Sequence, residues 1–260
     1  MAPASAVPML TGLRDGRHPL LSYADIFLGQ GDTTEGLPSQ RLILASVRFL
    51  RWGMLFGMSL RRLPAGDGGL IQIVDAALAA AARRSGEWLV CRPACTQCCV
   101  GAFAINQLDA LRLQQGLARL EKTDPQRARQ VRERARASVT RLAAEFPGDA
   151  KSGVLDEGPE AEERFAEFAN DEMCPVLDPE TGWCELYDAR PMTCRTFGPP
   201  VRSEDGLGVC ELCFHGATDA QIAACEMVAD PDDLESKLLQ KVEKVSGPHG
   251  RTIVAFAVNQ

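Results

Sequence analysis

The chain has 260 residues, enough to bury the core of one large domain or two small ones without covalent staples. Its 24% charged and 45% hydrophobic content is that of an ordinary globular protein and excludes a disordered or fibrous one. A formal net charge of −7 argues against a nucleic-acid partner, because phosphate contacts need clustered Lys and Arg.

The first forty residues are rich in Gly, Pro, Ser and Thr and carry little periodicity. They read as an extended arm with a short helix near Tyr23 to Leu28. The N-terminus has no basic region followed by an uninterrupted apolar run, so no secretory signal is read and a cytoplasmic location is expected. Residues 41–64, RLILASVRFLRWGMLFGMSLRRLP, are apolar, but Arg48 and Arg51 interrupt them. No run reaches the roughly 18 apolar residues of a membrane span, so the segment is expected to be amphipathic or part of a core, with no transmembrane helix.

Gly66 to Gly69 reads as a chain break. The Ala-rich stretch to Ser85 then places Ile71, Val74, Ala77, Leu78 and Ala81 at helical spacing. A second helix is expected from Ala104 to Lys122, burying Leu108, Leu111, Leu113, Leu117 and Leu120. Asp124-Pro125 starts a third that runs to Phe146, its many arginines forming a solvated face. Residues 148–158 look like a linker before a short acidic helix, PEAEERFAEFAND. The following stretch, Cys174 to Cys213, shows little helical periodicity. Two further helices, near Asp219 to Val228 and Asp232 to Val245, are separated by Asp230-Pro231. The β-branched tail TIVAFAV is expected to be a strand or an extended packing segment. The fold class is therefore mainly α, with helices packed around an irregular cysteine-rich metal-binding centre. Three regions are expected: residues 1–64 as arm and apolar segment, 65–246 as the helical cysteine-cluster domain, and 247–260 as a C-terminal tail.

Nine of the ten cysteines fall in short clusters: Cys91, Cys95, Cys98 and Cys99; then Cys174, Cys184 and Cys194; then Cys210 and Cys213. A reducing compartment makes clustered cysteines metal ligands rather than disulfides, and the adjacent Cys98-Cys99 pair suits a disulfide framework poorly. Thiolates are soft donors that suit zinc, copper(I) and iron–sulfur clusters. Three sulfurs at i, i+4 and i+7 can wrap a cubane with one remote ligand. The side chains of Cys98 and Cys99 diverge, so both are not expected on one tetrahedral ion. The turn LDPETGW brings Cys174 and Cys184 together. Cys210-x-x-Cys213 resembles half of a zinc ribbon. Cys225, on an Ala-rich helix, reads as a small buried hydrophobe. Arg190 and Arg195, lying between candidate ligands, either support thiolates or pair with nearby acids. His215 is a further donor near Cys213, whereas His18 and His249 sit in polar, solvent-facing contexts. No catalytic triad or phosphate-cradling loop stands out, so no catalytic residue is assigned.

The spacing C-x3-C-x2-C also occurs in radical S-adenosylmethionine enzymes. Here helices and loops follow it instead of alternating strands and helices, Gln97 stands where an aromatic is usual, and Cys99 is an extra cysteine. The wider pattern, Cys91-x3-Cys95-x2-Cys98-Cys99, Cys174-Pro-x-Leu, Cys184-x2-Tyr and Arg190-Pro-x2-Cys194-Arg, resembles the YkgJ-type cysteine-cluster proteins, described as zinc- or iron-chelating domains with a CxxCxxCC signature. The resemblance covers about residues 88–215. It implies a bound metal. It also implies a distant likeness to flagellin lysine N-methylases, which are associated with an iron–sulfur cluster, although no S-adenosylmethionine signature is present to carry that activity over. The expected cofactor is an iron–sulfur cluster of the [4Fe–4S] type, with zinc as the competing reading. Any macromolecular partner or substrate would be a protein.

Overall fold

The first described helix, α1 (Asp67–Ser85), buries Leu70, Val74, Leu78 and Ala81, which recur at three- and four-residue spacing along one face. The computed structural model describes residues 62–260 except 93, 204–205 and 246–248. The expected arm, the helix near Tyr23 and the apolar segment up to Arg61 lie outside them. The glycines expected to break the chain do not all do so. Gly68 and Gly69 stand inside the first turn of α1, and nothing lies within 4 Å of where their β-carbons would be. Asp67, placed at the positive end of the helix, is anchored by Arg112, and that pairing outweighs the low helix propensity of the two glycines.

Helix α2 (Gln107–Thr123) carries the expected leucine stripe, with Leu108, Leu111, Leu113 and Leu117 each at most 3% exposed. It starts later than the sequence suggests because Asn106 caps it, accepting from the Asp109 N–H at 2.9 Å. Before the cap, β1 (Ala104–Ile105) is extended and pairs antiparallel with residues 252–253. Asp124 ends α2 and caps α3 (Pro125–Leu142), accepting from the Arg127 N–H at 3.1 Å, with Pro125 at the first helical position. Ala128, Val131 and Ala135 turn inward, and α3 stops at Leu142, before Phe146. The expected linker is instead a hairpin, β2 (Gly148–Asp149) against β3 (Val154–Leu155). Its turn needs Gly153 at φ 72°, where a β-carbon would stand 2.7 Å from Phe256.

The acidic helix α4 (Pro159–Ala166) follows. Two short helices come later, α5 (Met192–Thr196) and α6 (Asp219–Ala224), the latter held by a capping box of Thr218 and Gln221. Between them β4 (Val201–Ser203) pairs with β5 (Gly206–Gly208). Helix α7 (Leu234–Glu243) lies against α1 and α2.

The tail departs most from expectation. Thr252 and Ile253 form β6, and Val254–Asn259 is then helix α8. Val254, Ala257 and Val258 pack with Leu113, Leu117 and Val131 in the main core, while Ala255 and Phe256 face a second cluster around Phe146 and Phe168. A segment buried on every side has no polar face, so its periodicity is invisible and its β-branched residues suggest a strand. The whole is mainly α, and among the described residues no helix is long and apolar enough to cross a membrane.

Candidate metal centre

The candidate ligands lie on irregular segments and short turns pinned to the long helices, except Cys194, which stands on the short helix α5. The first cysteine loop leaves α1 through a 3-10 turn, Gly86–Trp88. The Cys95 N–H donates to the Arg92 carbonyl at 2.9 Å, with Ala94 in the left-handed region at φ 68°. A second 3-10 turn, Gln97–Cys99, follows. Within it the Cys98 and Cys99 side chains approach each other closely enough to share a hydrogen bond, so adjacency does not drive the two sulfurs apart.

The second loop is laid against the first. The Cys174 N–H donates to the Cys99 carbonyl at 2.8 Å, and Val100 pairs with Met173 across an isolated antiparallel bridge. The Asp-Pro-x-x-Gly turn forms as the sequence implies. Asp178 accepts from the Glu180 N–H and the Thr181 hydroxyl, Gly182 takes φ 71°, and Leu177 bridges to Cys184. Three arginines of α3 grip this loop, which corrects the reading of that face as merely solvated. Arg134 donates to the Pro175 carbonyl at 2.9 Å and pairs with Glu185. Arg127 also pairs with Glu185, and Arg141 pairs with Glu172.

Cys194 sits on α5, whose position is fixed by a buried ionic cluster. Arg112 binds Asp67 at 2.7 Å and Asp109 at 2.6 Å, and Asp109 also accepts the Met192 N–H at 2.9 Å. Arg195 pairs with Asp75 of α1 at 2.8 Å, so it is a strut between helices. Arg190 lies 3.8 Å above the Tyr187 ring and places its charge near Cys98 and Cys184. The role of Asp67, Asp75, Asp109 and Arg112 was not read from the sequence. The signal for it is Asp109-x-x-Arg112 set inside the leucine stripe of α2.

The third segment is a tight knuckle. The Cys213 N–H donates to the Cys210 carbonyl at 2.9 Å, and the Phe214 N–H donates to Trp88, tying the knuckle to the start of the first loop. Gln97 donates to Glu211 at 2.7 Å across the same gap. Gly198 takes φ 114°, which side chains rarely adopt, and a β-carbon there would lie 3.2 Å from Leu89 Cδ1, beside Cys91. His215 and His249 are exposed, and Cys225 is buried beside Cys213 and Phe214, as a small hydrophobe would be.

All ten cysteines are free thiols. Their electrostatics report which thiols are neighbours. Burial, then Cys95, Cys98, Cys213 and Cys210, push Cys91 up to about 12 from the ordinary 9.0. Burial likewise raises Cys174 to about 12, with Cys184 and Cys98 adding to the effect. Cys194 is raised by burial and by Cys174, Cys184 and Cys98. The Cys99 thiol and the Cys98 sulfur share a hydrogen bond that lowers Cys98 and raises Cys99, with Cys174 and Cys184 close by. Cys210 is raised by burial, by Cys213 and by Cys95. Cys98 is thus a neighbour of Cys91 as well as of Cys174, Cys184 and Cys194, and the first loop lies between the knuckle and the second loop. Among the described residues no three Cys, His, Asp or Glu side chains already stand at the spacing of a single-ion site. The donor set is still of the soft kind that a thiophilic metal takes, since binding would exchange thiol protons for metal–sulfur bonds.

The cysteine-bearing stretch, residues 90–214, matches the family model CxxCxxCC, described as "Putative zinc- or iron-chelating domain". Its first gap is one residue longer than the name spells out, and the left-handed Ala94 lies in that gap. No curated protein and no solved structure matches the chain.

Proposed function

We propose that this protein binds an iron–sulfur cluster, of the [4Fe–4S] type, through its clustered cysteines. What supports the reading is the docking of the second cysteine loop on the first, with the Cys174 N–H on the Cys99 carbonyl and Leu177 bridged to Cys184, which brings Cys98, Cys99, Cys174 and Cys184 from two loops toward Cys194 of α5 and the Arg190 cation. A cubane takes four thiolates, which these cysteines supply with one to spare. Arg190 offsets part of the negative charge that four thiolates and a cluster bring together, as groups outside the ligand shell commonly do. The family description, which names iron beside zinc, supports the same reading.

The test is anaerobic purification after iron-replete expression, followed by iron, acid-labile sulfide and zinc analysis. Brown protein with iron and sulfide in similar amounts, bleaching in air, is the expected result. Colourless protein with zinc as its sole metal would reject it.

A further inference from the structure

The centre proposed above draws on Cys98, Cys99, Cys174, Cys184 and Cys194 and leaves the knuckle at Cys210 and Cys213 unused. The geometry of the knuckle suits a different chemistry. The Cys213 N–H donates to the Cys210 carbonyl at 2.9 Å, closing a turn over Glu211 and Leu212. Such a turn holds its first and last α-carbons within about 7 Å, and a disulfide spans about 4.4–6.8 Å between α-carbons. The two side chains share a hydrogen bond and one small apolar cluster, so the sulfurs already face one another. Cys95-x-x-Cys98 has the same spacing but not the same turn. Its bonds run from the Cys95 N–H to Arg92 and from the Cys99 N–H to Thr96, out of step with the pair. Exposure differs across the knuckle. Cys213 is 4% exposed, whereas Cys210 is half-buried between exposed Val209 and Glu211. A reagent from solvent therefore meets Cys210 first, with Cys213 waiting behind it.

We infer that Cys210 and Cys213 form a reversible dithiol–disulfide couple that exchanges with small disulfides of the glutathione class. In the forward direction the Cys210 sulfur, as thiolate, attacks one sulfur of the small disulfide. The small S–S bond breaks, one small thiolate leaves, and a mixed disulfide stands on Cys210. The Cys213 sulfur then attacks the Cys210 sulfur and displaces the second small thiolate. Two electrons pass from the protein to the small disulfide, and the two protein thiol protons end on the two small thiols released. Excess small thiol runs the sequence backwards. The ring so closed spans only the four residues from Cys210 to Cys213, and short loops gain least from closure, so the couple is read by thiol state and not by unfolding. Cys91 and Cys225 lie in the same apolar cluster and are the competing partners. The inference concerns sulfurs outside the proposed cluster and does not rest on iron being present there.

The test uses the full chain purified anaerobically. It is equilibrated in glutathione buffers from fully reduced to fully oxidised, trapped with a thiol alkylator, cut after glutamate and mapped by mass. Cleavage after Glu211 parts Cys210 from Cys213, so only a disulfide keeps their peptides together, and the alkylation state of Cys225 shows which cysteine of the second peptide is joined. The expected result is a Cys210–Cys213 link at oxidising ratios that reduced glutathione reopens, the ratio of oxidised to reduced pair changing tenfold for about 30 mV. Cys213→Ser should stop at the mixed disulfide on Cys210, and Cys225→Ser should leave the couple intact. Wild-type mapping decides the matter even where a variant does not fold. Alkylation of both thiols at every ratio, or a link from Cys210 to Cys91 or Cys225, would overturn the inference. So would a pair that neither oxidises nor alkylates until a chelator is added, since its sulfurs would then be metal ligands. Iron and sulfide analysis of the same sample judges the proposed cluster separately.

Discussion

Replacing Arg112 by leucine tests whether the buried ionic cluster positions the metal loops. The Arg112 side chain is 3% exposed; its two buried partners, Asp67 and Asp109, are 8% and 3% exposed, and a third, Glu235 at 3.7 Å, is 24% exposed. Leucine fills some of the volume but strands two carboxylates, and breaking a buried pair from one side costs about 3–5 kcal/mol. For a domain of this size each kcal/mol lowers the melting temperature by about 2–4 °C, so a drop of about 6–20 °C is expected. Urea and thermal unfolding followed by circular dichroism would measure it. Arg132→Leu, which breaks an exposed pair with Glu121, is the control and should cost no more than about 1 kcal/mol. The deficit has a pH signature. Burial already raises Asp109 from 3.8 to about 6, against the pull of Arg112. The folded state therefore holds the Asp109 proton more tightly than the unfolded state, and stability present below about 4 is lost as pH rises through about 6. Without Arg112 the carboxyl rises further, so the variant should lose most at neutral pH and least in mild acid. Adding Asp67→Leu removes one stranded charge and should recover part of the loss. A cost below about 1 kcal/mol, or a deficit that does not vary with pH, would refute the reasoning.

Three further outcomes are expected. Chelation should raise hydrogen exchange in the Cys174–Cys194 loops while α2 and α3 keep their protection, since the ion pairs that tie the loops to α3 rest on partly exposed arginines; equal protection with and without metal would contradict this. Gly116→Ala places a β-carbon 2.4 Å from that of Ala189 and should cost about 1–3 kcal/mol by pushing α2 off the turn before Arg190; a neutral result in urea unfolding would show that the turn yields. In chelated protein, Cys91 and Cys174 are raised from 9.0 to about 12, so stability present below pH 9 should fall as pH rises toward 12, and metal-loaded protein should resist that fall; matching alkaline melts would count against it.

What could be read from sequence is what local chemistry decides. The leucine stripe of α2, the Asp124-Pro125 start of α3 and the Asp178–Gly182 turn each carry their own signal over a few residues. The tail helix α8 does not, because burial on all sides erases the polar face that marks a helix. The docking of the first cysteine loop is equally hidden, because the partners that hold it are residues 173, 174, 211 and 214, far along the chain. The ionic cluster of Asp67, Asp109 and Arg112 joins residues up to 45 apart in the chain, and no local pattern records that.

Arg127, Arg134 and Arg141 recur every seven residues along α3, close to two full turns, so they share one edge of the helix. At a rise of about 1.5 Å per residue, their α-carbons mark intervals of about 10 Å. The helix is thus a ruler against which Glu172, Pro175 and Glu185 are read off, and the span of the second loop is set by helical pitch. Spacing fixed in this way has a phase as well as a length. One residue inserted between Arg134 and Arg141 would swing Arg141 about 100° around the helix axis and free the Glu172 end, leaving the Glu185 end engaged. The ruler therefore turns a change of register within α3 into slack at one end of the loop that carries Cys174.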